Sequence, residues 1–134
     1  MIFKPSETVE KFIEDVHGRV GARTKAVLGR AGLFLALGEG VPPKFEPTDA
    51  KGKDINDETV IGDDLRDVVR AALNYRANRT LDDPGYKQQF RRHFEFGCLK
   101  LQELWDQAGK DQTRFVAELL QRTGKDFQFE PARS

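Results

Sequence analysis

One stretch of this chain constrains its fold more than any other. Between residues 86 and 108, Tyr86, Phe90, Phe94, Cys98, Leu101, Trp105 and Ala108 recur at steps of three or four. That spacing puts them on one stripe of an α-helix. A helix of that length runs roughly 35 Å, about the width of a small domain. The rest of the chain must therefore pack along it. Pro84 precedes the stripe and Gly109 follows it, a breaker at each end.

Four shorter helices are predicted beside it. Pro5 keeps Lys4 extended, and Ser6 is positioned to cap a first helix carrying Val9, Phe12, Ile13 and Val16. Gly18 and Gly21 end that helix. A second runs from Arg23 or Thr24 to Leu37 and is apolar on more than one face. Gly29 and Gly32 lie inside it, either to allow a close helix–helix approach or as a tolerated weakness of about 1 kcal/mol each. Residues 41–58 form a long polar connection with three prolines, expected to be mobile or ordered by a partner. Thr59, Val60 and Ile61 are expected to be extended up to Gly62. A third helix is expected from Asp63 or Asp64, bearing Leu65, Val68, Val69, Ala72 and Leu73. Asp111 caps a fifth, which carries Phe115, Val116, Leu119 and Leu120 and is expected to stop at Gly124. The predicted fold is mainly α. It is a compact bundle of about five helices in a single domain over residues 1–124, with a tail over 125–134. The N-terminal order of extended lead, helix, turn and helix is ribbon-helix-helix-like.

The sequence offers little chemistry. No phosphate-cradling glycine loop, C-x-x-C pair, H-E-x-x-H or G-x-S-x-G occurs. One cysteine and two separated histidines do not make a zinc site. The only serines are Ser6, a cap, and Ser134. Asp63–Asp64 and Asp82–Asp83 precede helices and are read as caps and dipole partners. No catalytic residue, metal or cofactor is expected. The first twenty residues lack an unbroken apolar core, and no run is long enough to span a bilayer, so a cytoplasmic protein without membrane contact is expected.

Charge is more informative. The 22 basic and 22 acidic residues cancel, yet residues 19–38 carry four cations and no acid. Residues 46–67 carry eight acids against three bases. Such polarity suits self-association or a basic face for nucleic acid. Arg19, Arg23, Lys25 and Arg30 are the candidate DNA-binding residues, chosen on this local charge. Lys87, Arg91 and Arg92 form a second basic cluster, read either as a solvated face pairing with Glu95 or as a phosphate-contacting patch.

Three stretches resemble the DndE family of bacterial DNA phosphorothioation. They are Lys4-Pro-Ser6 onward through Val20-Gly-Ala-Arg-Thr-Lys25 and the apolar run to Gly40; Gly52-Lys-Asp-Ile-Asn56 with Thr59-Val-Ile-Gly-Asp-Asp64; and Phe90-Arg-Arg-His93-Phe-Glu-Phe-Gly97-Cys-Leu99. The family's turn between the first two helices usually reads Gly-Leu-Thr; here it is Gly21-Ala-Arg-Thr24. The resemblance implies a non-catalytic DNA-binding or scaffold subunit of the sulfur-modification machinery, a system of bacterial defence. It implies a homo-oligomer similar to a tetramer, binding duplex or nicked DNA beside other subunits. Two alternatives stay open on the residues: a ribbon-helix-helix regulator or antitoxin, and a protein-interaction adaptor without DNA contact.

Overall fold

The computed structural model describes residues 1–19, 25–39 and 42–126. Five helices and one minimal sheet run in the order β1 (Ile2–Phe3), α1 (Glu7–Val16), α2 (Lys25–Leu37), β2 (Ile55–Asn56), α3 (Asp57–Ala77), α4 (Asp83–Gln107) and α5 (Gln112–Asp126). The architecture is mainly α, as expected. α4 is the spine. Asp82 caps it, accepting from Gly85 N–H at 2.8 Å. Its C-terminus closes through Gly109 N–H to Asp106 O and Lys110 N–H to Trp105 O, with Gly109 in the left-handed region at φ 68°. The whole predicted stripe of α4 is buried.

The glycines of α2 face α4. A Cβ on Gly29 would meet the Phe94 ring at 2.8 Å, and one on Gly32 would meet Cys98 Sγ at 2.8 Å. From the other side, a Cβ on Gly97 would sit 1.6 Å from the Gly32 carbonyl oxygen. The two helices thus touch backbone to backbone, and the close-approach reading of Gly29 and Gly32 is the right one. α1 closes the same core with Val9, Phe12, Ile13 and Val16, under its Ser6 cap.

Four expectations need correction. Thr59–Val60–Ile61 is helical, not extended. Asn56 caps a first turn of α3 through Glu58 N–H, which carries Val60 and Ile61 into the core before Gly62 (φ 76°) kinks the helix. α5 continues through Gly124 to Asp126, so that glycine is tolerated inside the helix; residues 127–134 of the expected tail lie outside the described residues. The strand β1 pairs antiparallel with β2 of its own chain, Ile2 opposite Asn56 and Phe3 opposite Ile55, so its ladder is intramolecular. Glu95 does not pair with Arg91 on a solvated face. It is buried and accepts the Ser6 N–H at 3.1 Å, capping α1 from α4.

The long connection is also tied to its own chain over residues 42–54. Gly52 N–H donates to Pro5 O at 2.9 Å, Lys53 N–H to the Glu10 carboxylate, and Glu7 N–H to Asp49 Oδ1 at 3.0 Å. Arg91 holds the Lys4 and Asp49 carbonyls, Arg92 pairs with Glu46, and Phe45 meets the edge of Phe96.

Candidate nucleic-acid interface

A polyanion surface needs cations that are exposed and not already committed. The candidates differ in this respect. Arg19 follows the end of α1, with its guanidinium 5.8 Å from the Trp105 ring centroid. The residue is exposed, and its charge lies within cation–π range of the aromatic. Arg23 lies outside the described residues. Lys25 opens α2, and its Nζ is 3.6 Å from Glu14 Oε1, both side chains well exposed. Such a surface pair is weak and can open for a better partner. Arg30 donates from Nε to the Val60 carbonyl at 2.7 Å and so links α2 to the first turn of α3. Lys25 and Arg30 are five residues apart on one helix, about 140° around its axis. The three described candidates therefore occupy separate places rather than one patch.

The second basic cluster divides as well. Arg91 and Arg92 hold the 42–54 segment. Lys87 is exposed and borders an open concavity with Arg79, Asp82, Gln88 and Arg91 at the start of α4. Arg79 enters this surface because Asn78 ends α3 in the left-handed region (φ 57°) and turns the chain back toward α4. The sequence signal for this pairing is the flanking of one short turn by Arg79 on one side and Lys87 on the other. The N-terminal N–H groups of α4 add positive potential there. Asp82, the cap, is the acid lining this concavity.

A different cavity, of about 250 Å³, opens between α1, α2 and the start of α3. Its floor is apolar, with Ile13, Gly29, Val60 and Phe94. Its rim mixes Glu10, Glu14 and Asp54 with Lys25 and Lys53, and the acids make it a poor seat for a polyanion.

The buried ionisable groups are structural. Asp57 is fully buried and accepts from Tyr86 Oη at 2.7 Å, the Met1 ammonium at 2.9 Å and Arg66 Nε at 3.1 Å. Burial, the largest single influence, works to raise its pKa, but these three donors together hold it below the usual carboxylate range. Burial pushes the Tyr86 hydroxyl, the Glu95 carboxyl and the Cys98 thiol up, and the His93 imidazolium down. A thiol held protonated is a poor nucleophile. No group of three or more His, Cys, Asp or Glu is arranged to hold a metal among the described residues. Among them, too, no helix is long and apolar enough to cross a membrane.

Comparison with curated proteins finds no match. A family model described as DNA sulphur modification protein DndE matches residues 3–107, from β1 to the end of α4 and including both basic surfaces. The chain belongs to the DndE family, whose members take part in DNA sulphur modification.

Proposed function

We propose that this protein is a non-catalytic DNA-binding and scaffold subunit of a DNA sulphur-modification system, binding duplex or nicked DNA through phosphate contacts. The observation that carries the reading is the DndE match over residues 3–107. The exposed cations of this surface agree with it. Arg79 and Lys87 near the α4 N-terminus are uncommitted among the described residues, Arg19 contacts the buried Trp105 ring through a weak cation–π interaction, and Lys25 is held by a weak surface pair. Self-association supports such binding by repeating each cationic group. Val27 and Phe34 on α2, with Val68 and Tyr75 on α3, expose apolar area on neighbouring helices. A homo-oligomer, a tetramer by the family resemblance, covers that area.

Salt-dependent binding tests the reading. Arg79→Glu with Lys87→Glu, compared with Arg19→Glu with Lys25→Glu, is measured on intact and nicked duplexes from low to moderate salt. Phosphate contacts predict affinity falling steeply with salt and little sequence preference. Each double reversal should weaken binding and make the salt dependence shallower, by about one unit of slope for each phosphate no longer neutralised. If wild-type protein binds no duplex at low salt, the adaptor reading replaces this one. That second reading rests on the same apolar area of α2 and α3. The ribbon-helix-helix reading lacks its ribbon: β1 is two residues long, pairs within the chain and buries Phe3.

A further inference from the structure

The cavity of about 250 Å³ between α1, α2 and the start of α3 takes no part in the DNA reading, yet its lining is sorted by chemistry. Its floor is apolar and comes from four helices: Ile13 of α1, Gly29 of α2, Val60 of α3 and Phe94 of α4. Gly29 brings no side chain, so the α2 backbone rests directly on the Phe94 ring. The Asn56 cap starts α3 early and so carries Val60 to this floor. Ala26 and Ile55, both half-buried, extend the apolar wall toward the mouth.

The rim carries the polar groups. α1 supplies Glu10 and Glu14, one helical turn apart. Lys53 comes from just before β2, Asn56 from its end and Thr59 from the first turn of α3. Several of these groups keep bonding capacity. Glu10 accepts the Lys53 N–H through Oε2 and has Oε1 to spare. Asn56 uses Oδ1 on the Glu58 N–H, so its amide N–H groups remain. Lys53 Nζ and the Thr59 hydroxyl have no partner among the described residues. Lys25 meets Glu14 at a loose 3.6 Å, and Asp54 pairs with Lys4 at 3.1 Å, all four well exposed. The Glu10–Lys53 bond seats a carboxylate against the backbone of the residue that bears the free ammonium. An acid and a base thus border the same mouth over an apolar floor.

The ligand that matches has an apolar body and a head bearing both charges close together. A polyanion is repelled by the acids, and a purely apolar molecule leaves the rim unanswered. The volume is below the roughly 300–1,000 Å³ of pockets for drug-sized ligands, so the body is small. We propose that this cavity binds a free α-amino acid with an apolar side chain of leucine or phenylalanine size. The side chain lies over Ile13, Val60 and Phe94. The ammonium donates to Glu10 and Glu14, and the carboxylate accepts from Lys53 Nζ and the Thr59 hydroxyl. No bond is made or broken. The proposal does not rest on DNA binding, since Arg79 and Lys87 line a different concavity, and either reading can fail alone.

Methyl-detected NMR of the wild-type protein tests it. Ile13 and Val60 report from the floor, and Val116, exposed on α5, is the internal reference. L-Leucine, L-phenylalanine, N-acetyl-L-leucine, L-leucinamide and L-aspartate are titrated separately at matched ionic strength near neutral pH. The expected result is a saturable movement of the Ile13 and Val60 methyls with leucine or phenylalanine, and none at Val116. Removing either head-group charge, in N-acetyl-L-leucine or L-leucinamide, should weaken binding roughly tenfold. Aspartate, with no apolar side chain, should not bind. Ala26→Phe, with its helical spectrum intact, should fill the mouth and lose the response; a response that survives it places the ligand elsewhere and overturns the proposal. Binding of either capped form, or of aspartate, as tight as that of leucine overturns it too, as does no saturable movement with leucine or phenylalanine. The wild-type titrations decide this even if Ala26→Phe fails to fold.

Discussion

Gly97→Ala is the most demanding test of how the helices meet. Its new methyl would sit 1.6 Å from the Gly32 carbonyl oxygen, where ordinary contact needs more than 3 Å. The obstacle is backbone inside α2, so no side chain can rotate out of the way. The helices must part by roughly 2 Å, which loosens contacts that depend on close packing. Leu28, Leu33 and Ala36 of α2, and Phe94, Cys98 and Leu101 of α4, are all buried along or near this seam. Overpacking costs typically 1–3 kcal/mol and occasionally more; a backbone clash belongs at the upper end, about 3–4 kcal/mol. Better helix propensity returns about 1 kcal/mol. The net loss is about 2–3 kcal/mol, a large fraction of the total for an ordinary domain. Urea unfolding should show the midpoint falling by about 1 M with the slope unchanged. Gly18→Ala is the control: a Cβ there meets nothing within 4 Å, so stability should hold within about 0.5 kcal/mol. A Gly97→Ala midpoint equal to that of wild type would refute the backbone-to-backbone seam.

Other expectations follow from the buried charges and the tied connection. Asp57→Asn should lose about 2 kcal/mol near neutral pH, chiefly by leaving the largely buried Met1 ammonium without its counter-ion, since Arg66 keeps its pair with Glu58. Because the folded pKa of Asp57 is depressed, its stabilisation is complete above the usual Asp range and fades as pH falls through the folded value, so the gap between variant and wild type should close in acid. Glu95 has the opposite sign. Burial raises its folded pKa, so its ionisation costs stability as pH rises from the usual Glu range through that folded value. Glu95→Gln should therefore be no less stable than wild type at neutral pH and should flatten that decline; a loss above about 1 kcal/mol would contradict it. Amide exchange should find Gly52 and Lys53 protected in the isolated protein, because their N–H groups are held by Pro5 and Glu10. Exchange there at the rate of an unstructured peptide would show the 42–54 segment to be untied.

What could be read from the sequence was local. The α4 stripe, the Ser6 cap and the Gly109 stop each depend on residues within a few positions of one another, and each is found as expected. The features misread depend on partners far along the chain. Gly29 and Gly32 looked ambiguous because the residues that decide them, Phe94 for the first and Gly97 and Cys98 for the second, are on another helix. Helical spacing put Arg91 near Glu95, but it could not show that the 42–54 segment covers Arg91 or that Ser6 reaches Glu95. Val60 and Ile61 looked like a strand because β-branched residues beside a glycine favour one; the Asn56 cap and burial of both side chains outweighed that preference. Of the four cations picked on charge, composition could not say that Arg30 Nε would donate to the Val60 carbonyl and tie α2 to α3.

The Ser6–Glu95 bond joins residues 89 positions apart, and the Met1–Asp57 ion pair joins residues 56 apart. On a ribosome the beginning of this chain therefore cannot finish folding when it emerges. The buried Ser6 N–H meets its Glu95 acceptor only after about half of α4 has been made, several seconds later at about 5–20 residues per second. Until then Val9, Phe12, Ile13 and Val16 have no α4 to pack against. Although helical, the protein should fold more slowly than a bundle of sequential hairpins, because its first helix closes the structure last.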